Sequence, residues 1–154
     1  SPSCSSPAFT RCASTTWYAG SATNTNAFLV NGHLETGATS NPYTETIQRA
    51  MRRVFELLRT AAITDQTYPA PIGMVNPDSN GNGVGIEVIQ SRRPYQGGQF
   101  MDAIVATGTP GVVTTPAPAG IVGRSYGDIV QDMVDMYAYG QGDTGTYHGG
   151  WRYN

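Results

Sequence analysis

Tyr147-His148-Gly149-Gly150-Trp151-Arg152-Tyr153-Asn154 is the stretch on which the reading of the fold turns. It follows a strongly helical segment that ends at Gly140, and it runs two glycines into a tryptophan. Glycines remove side-chain bulk, so a large aromatic can settle against the end of a helical hairpin. That is a packing device and not a catalytic motif. It predicts a helical scaffold and names no reaction.

Working outward, the helical segment before it spans Ser125 to Tyr139, with Ile129, Val130, Met133, Met136 and Tyr137 apolar. The clearest helix lies further upstream, from Asn41 to about Ala62. Asn41 can cap it, Pro42 suits the first turn, and Glu45 sits near the positive end of the dipole. Ile47, Met51, Val54, Leu58 and Ala61 recur at spacings of four and three, which places them on one face. Arg49, Arg52, Arg53, Glu56 and Arg59 fill the polar side, where Arg52 and Glu56 stand four apart. Two shorter helices are expected. One is an apolar run from Asn24 to the stop signal Asn31-Gly32, and the other runs from Gly98 to Thr107 around Phe100, Met101, Ile104 and Val105. Residues 64–85 and 109–123 read as long Pro/Gly/Asn/Thr-rich loops, and Val84 to Ile89 as a short strand. The order short helix, loop, Tyr-initiated long helix occurs twice. Gln48 and Gln131 each stand five residues after the initiating Tyr43 and Tyr126, so the chain reads as two diverged helical hairpins. The expected organisation is an irregular segment over 1–23 and a mainly α, helical-hairpin domain over 24–154 with long irregular loops.

Bulk properties narrow the function classes. The chain has 154 residues, enough for one ordinary domain. Charged residues are 13%, roughly half the usual fraction. Net charge is −2, so there is no electrostatic footprint for nucleic acid or anionic lipid. All nine basic residues are Arg. Without Lys there is no Schiff-base lysine, phosphate-loop lysine or Ser–Lys dyad. No stretch is apolar and long enough to span a membrane. Cys4 and Cys12 lack a metal spacing and read as a local disulfide, with two free thiols as the alternative. The disulfide implies an oxidising, extracellular or periplasmic setting.

Several segments invite a chemical reading, and each has a plainer one. Asp78-Ser79-Asn80-Gly81-Asn82-Gly83 matches the first half of a calcium loop, with oxygen ligands from Asp78, Asn80 and Asn82. The twelfth position holds Ile89, so Glu87 is the candidate closing ligand; the plainer reading is a metal-free turn. Gly123-Arg124-Ser125-Tyr126-Gly127 matches a nucleophile elbow, but no strand precedes it, and Ser125 with Asp128 reads more simply as a helix cap. His33-Leu34-Glu35 has the H-x-E pattern of zinc deaminases but lacks downstream cysteines, which leaves both residues as polar loop contacts. Asp128, Asp132 and Asp135 share one helix face, read as solvated. Asp102 is an isolated carboxylate, and Arg92-Arg93 an exposed basic pair beside Tyr95.

The hairpin order, Gln141 and Gly149-Gly150-Trp151 resemble the squalene-cyclase and prenyltransferase repeat, in which a Gln is followed by G-x-W. Here the gap from Gln141 to Gly149 is longer than in that repeat. Asn31-Gly32-His33-Leu34 and Pro42-Tyr43-Thr44-Glu45-Thr46 are similar to inter-helix sequence of uncharacterised bacterial members of that superfamily. The resemblance implies hairpins of α/α-toroid type, or part of a toroid. A complete toroid needs further hairpins, so the chain is expected to be a fragment or to complete its fold with other chains. Neither the acidic D-x-D-D motif of the cyclases nor the prenyltransferase zinc ligands have a counterpart, so the activity does not carry over. The expected function is a non-catalytic structural or binding module of an extracytoplasmic assembly, with other protein chains or copies of itself as partners. The alternatives are a terpene-cyclase-like enzyme using an acid such as Asp102 or Asp132 in an apolar cavity, and a serine hydrolase using Ser125.

Overall fold

A computed structural model describes residues 18–68, 70–89, 93–143 and 145–151. The Cys4–Cys12 pair, and with it the argument for an oxidising compartment, lies outside the described residues, as does Arg92. Four helices run in order: α1 Ala19–Val30, α2 Thr44–Glu56, α3 Arg93–Ala106 and α4 Tyr126–Tyr139. Between α2 and α3 lie four short strands, β1 Leu58–Ala62, β2 Gln66–Tyr68, β3 Gly73–Val75 and β4 Val84–Val88. They form two antiparallel pairs, β1 with β4 and β2 with β3. The chain is therefore an α+β mix, and the expected mainly α fold of α/α-toroid hairpins is corrected.

The correction has a local origin. The helix expected from Asn41 to Ala62 stops at Glu56. Its apolar face is real through Ile47, Met51 and Val54, all buried. After Leu57 the same chain pairs with β4, Leu58 opposite Val88 and Arg59 opposite Glu87. The helical spacing continues through Leu58 and Ala61, so no local signal marks the switch. Long-range pairing decides it, as tertiary context commonly overrides propensity. Across this ladder Arg59 donates to Glu87 from Nε at 2.8 Å and from Nη2 at 2.7 Å.

Packing departs from two sequential hairpins as well. The helix α1 lies against both α3 and α2, while α4 lies against β4 and α3. The start of α1 has no side-chain cap of its own. Gln96, fully buried on α3, supplies one: its Oε1 accepts from the backbone N–H of Tyr18 at 2.9 Å and of Ala19 at 3.1 Å. Orphan donors at a helix start are thus satisfied from another helix. Gly97 beside it is required by the neighbouring helix, since a Cβ there would stand 1.7 Å from the Tyr137 hydroxyl. The core is continuous through Leu29, Met51, Phe55, Ile86, Phe100, Ile104, Ile129 and Met133.

The tryptophan meets the end of α4 by a hydrogen bond, with its side chain exposed. Trp151 Nε1 donates to the Tyr137 carbonyl at 2.8 Å, near the carbonyl end of α4. Gln141 Nε2 reaches the Gly149 carbonyl at 2.9 Å, and the amide of Gly142 donates to Gly150 at 2.8 Å. No described helix is long and apolar enough to cross a membrane.

Candidate functional site

Glu35 follows the helix stop at Asn31-Gly32 and leads toward α2. On the facing side, the 107–125 loop is wired to itself and to α4. Thr114 donates from N to the Arg124 carbonyl at 3.0 Å and from Oγ1 to the Ile121 carbonyl at 2.6 Å. Tyr126 donates from N to Val112 at 2.9 Å. This bracing holds a Pro-rich wall opposite α2. A cleft of about 270 Å³ lies between them, lined by Glu35, Gln48, Met51, Arg52, Phe55, Val112, Val113, Thr115, Pro116 and Tyr126.

Glu35 is the distinctive group there. It is half-buried, and its Oε1 accepts from the Tyr126 hydroxyl at 2.8 Å, across 91 residues of chain. Burial pushes its carboxyl above the ordinary glutamate value, only partly offset by that hydrogen bond. The Tyr126 phenol is raised in turn, by burial first and then by Glu35 as acceptor and as charge. The Tyr126 ring packs on Phe55 with centroids 4.8 Å apart. Gln48 fixes the Glu35 backbone by donating from Nε2 to its carbonyl at 2.9 Å. Arg52 lines the same cleft and forms no ion pair among the described residues. A second hollow of about 270 Å³ lies between α3 and α4, walled by Ile104, Val105, Pro110, Val130 and Val134, and it presents few polar groups.

The expected calcium residues meet only in part. Asp78, Asn80 and Asn82 gather in one loop over α4, but Glu87 sits in β4 and is held by Arg59. Asp78 turns its oxygens onto the loop's own backbone: Oδ1 accepts from Gly81 N at 2.9 Å and Asn82 N at 3.3 Å, and Oδ2 from Gly83 N at 2.6 Å. The Asn80 and Asn82 side-chain oxygens accept from the amides of Asn82 and Val84. The loop's oxygens therefore serve its own amides, and no group of three or more His, Cys, Asp or Glu with metal geometry exists among the described residues. Glu87, the expected closing ligand, is engaged by Arg59 instead.

The carboxylates read as a solvated face are corrected too. Asp128 is exposed, but Asp132 and Asp135 are buried beneath this loop. Asp132 accepts from Asn80 Nδ2 at 2.8 Å and Asn82 Nδ2 at 3.1 Å, and its Oδ2 pairs with Arg124 Nη2 at 2.6 Å. Asp135 accepts from the Ser79 hydroxyl at 2.8 Å and from Gln131 Nε2 at 3.0 Å. Asp102 is exposed on α3. Ser125 caps α4, its Oγ accepting from Asp128 N at 3.1 Å, and an isolated bridge to Val113 stands where an elbow would have a strand. His33 packs against Tyr43 in a tilted arrangement, with centroids 4.5 Å apart.

The sequence did not single out Glu35, Arg52 or Tyr126 as a unit. Tyr126 stood out as a helix initiator and inside the elbow-like Gly123–Gly127 match, and Glu35 only beside His33. Their meeting depends on the path of the 107–125 loop, for which no local signal exists. No family model, curated protein or solved structure matches the chain.

Proposed function

We propose that the chain is a non-catalytic binding module whose ligand is a small polyhydroxylated molecule of sugar size, held in the Glu35–Tyr126 cleft. One observation carries this: Glu35 and Arg52 line the same hollow without forming an ion pair with each other. An anionic ligand would meet Glu35, and a cationic one would meet Arg52. A hydroxyl both donates and accepts, so a neutral polyol can serve Arg52, Gln48, Thr115 and Glu35 together. The Phe55 and Tyr126 rings supply the apolar surface such a ligand needs. Glycoside cleavage ordinarily takes a pair of carboxyl groups, and among the described residues Glu35 is the only one lining this cleft, which favours capture over hydrolysis.

The test is calorimetric titration and ligand-observed NMR with methyl glucoside, methyl galactoside and cellobiose, and with leucine as a zwitterion of similar size. A sugar should bind, and Glu35→Gln and Arg52→Ala should each weaken it about tenfold or more, the range for losing a charged hydrogen-bond partner. No response to any sugar refutes the reading, and binding of leucine alone transfers the site to zwitterions. Association with other protein chains is part of the same proposal. It is supported by the exposed apolar residues Val105 and Val134, 60% and 47% accessible. A monomer mass by light scattering would remove that part.

A second reading is favoured by the raised Glu35 carboxyl. In it, Glu35 rather than Asp102 or Asp132 protonates an apolar substrate, as the resemblance to cyclase repeats suggests. Arg52 in the same cleft opposes a carbocation, which places this reading second.

A further inference from the structure

The loop over α4 carries two consecutive Asn–Gly pairs, Asn80-Gly81 and Asn82-Gly83. We infer that Asn80 and Asn82 are paired deamidation sites, held shut by Asp78, whose conversion unlatches the 80–83 half of that loop from α4.

The chemistry needs only water. The backbone nitrogen of the glycine, after losing its proton, attacks Cγ of the preceding Asn. A C–N bond forms, the side-chain nitrogen leaves as ammonia, and a cyclic imide remains. Water opens the imide at either carbonyl to give Asp or isoAsp. Glycine is the most permissive following residue because it has no side chain to block the approach.

In the folded chain both halves of this reaction are restrained. The two attacking nitrogens are occupied by one carboxylate, Gly81 N donating to Asp78 Oδ1 at 2.9 Å and Gly83 N to Oδ2 at 2.6 Å. That negative charge also opposes loss of the amide proton. The two carboxamides are held at both ends. Asn80 donates to Asp132 at 2.8 Å and accepts from Asn82 N at 3.1 Å; Asn82 donates to Asp132 at 3.1 Å and accepts from Val84 N at 2.7 Å. Neither can turn its Cγ toward the next nitrogen until the loop opens, so conversion follows the population of the open loop.

Conversion then removes the latch. An amide N–H donor becomes a carboxylate facing buried Asp132, whose charge is already paired with Arg124. Like charges at hydrogen-bonding distance repel, and the 80–83 half of the loop leaves α4 while Ser79 stays on Asp135. Opening frees the second Asn–Gly pair, so the first event accelerates the next.

The test follows deamidation of the full chain at mildly alkaline pH by mass spectrometry and peptide mapping, in buffer and in urea. Asn31-Gly32, outside the loop, is the internal reference. Asn80 and Asn82 should convert at least about tenfold more slowly in buffer than in urea, since each tenfold needs only a modest opening free energy. Equal rates in the two solvents overturn the inference. Asp78→Ala should abolish that protection at Asn80 and Asn82 and leave Asn31 unchanged; unchanged rates at all three also overturn it. If all three speed up together, the variant has unfolded, and Asn80→Asp decides. Its backbone amide exchange over 80–83 must rise about tenfold while α1 exchange holds, and an unchanged loop sinks the proposal.

Discussion

Two carboxylate sites in this molecule have opposite surroundings. Asp132 is fully buried under the 78–83 loop, where two Asn amides and Arg124 donate to it. Glu35 is only half-buried, yet among the described residues Tyr126 is its one side-chain donor, and its carboxyl is raised. The comparison teaches that burial by itself does not make a functional acid. What matters is how many donors come with the burial. Asp132 is saturated and belongs to the architecture. Glu35 is under-supplied and faces a cleft, which leaves it free to take a ligand.

The strongest way to break the comparison is Asp132→Ala. It strands Arg124 and two carboxamides at once and leaves the loop tied to α4 through Ser79 and Asp135. Removing one member of a buried pair costs about 3–5 kcal/mol. The low end is expected because Arg124, with 23% of its side chain exposed, can be rehydrated. Urea denaturation reads this directly, and a loss near zero would mean that the loop is not held by Asp132.

Two packing variants come next. Gln96→Ala removes the acceptor for the Tyr18 and Ala19 amides and should cost about 1–3 kcal/mol, with raised amide exchange at the start of α1. Gly97→Ala drives a methyl into the Tyr137 hydroxyl and should cost about 1–3 kcal/mol. Tyr137→Phe, which deletes that oxygen, should recover part of the loss in the double variant. No recovery would locate the strain elsewhere.

These residues also show what was legible in the sequence. The polar network over α4 was half visible: the Asp/Asn/Gly loop and the acid row on α4 both stood out as patterns. Their meeting did not, because loop and helix are about fifty residues apart and either pattern has a plain local reading. The Ser125 cap and the Gly140 stop were readable because caps are local chemistry. The β1 strand was not, since Leu58 and Ala61 continue the helical spacing and only β4 decides otherwise. Glu35 was least legible of all. Its value comes from a tyrosine 91 residues away, and the Pro-rich wall that encloses it has no periodicity to read.

The smallest effect sharpens the comparison most. A raised Glu35 carboxyl means that the folded state favours the protonated form more than the unfolded chain does. Its contribution to stability is therefore present below the unfolded value of about 4.5 and is lost as pH rises through the folded value. Glu35→Gln, which mimics the neutral acid, removes that dependence. The thermal midpoint of the wild type, taken relative to Glu35→Gln, should fall as pH increases from below 4.5 toward neutrality. Tyr126→Phe removes the one hydrogen bond that lowers the carboxyl, so it should push the same fall to higher pH. The saturated site offers the contrast, because Asp132→Asn disturbs the Arg124 pair at neutral pH and its cost must not vanish there. If Glu35→Gln tracks the wild type at every pH, the carboxyl is solvated like any surface glutamate, and the reading of Glu35 as a proton donor falls.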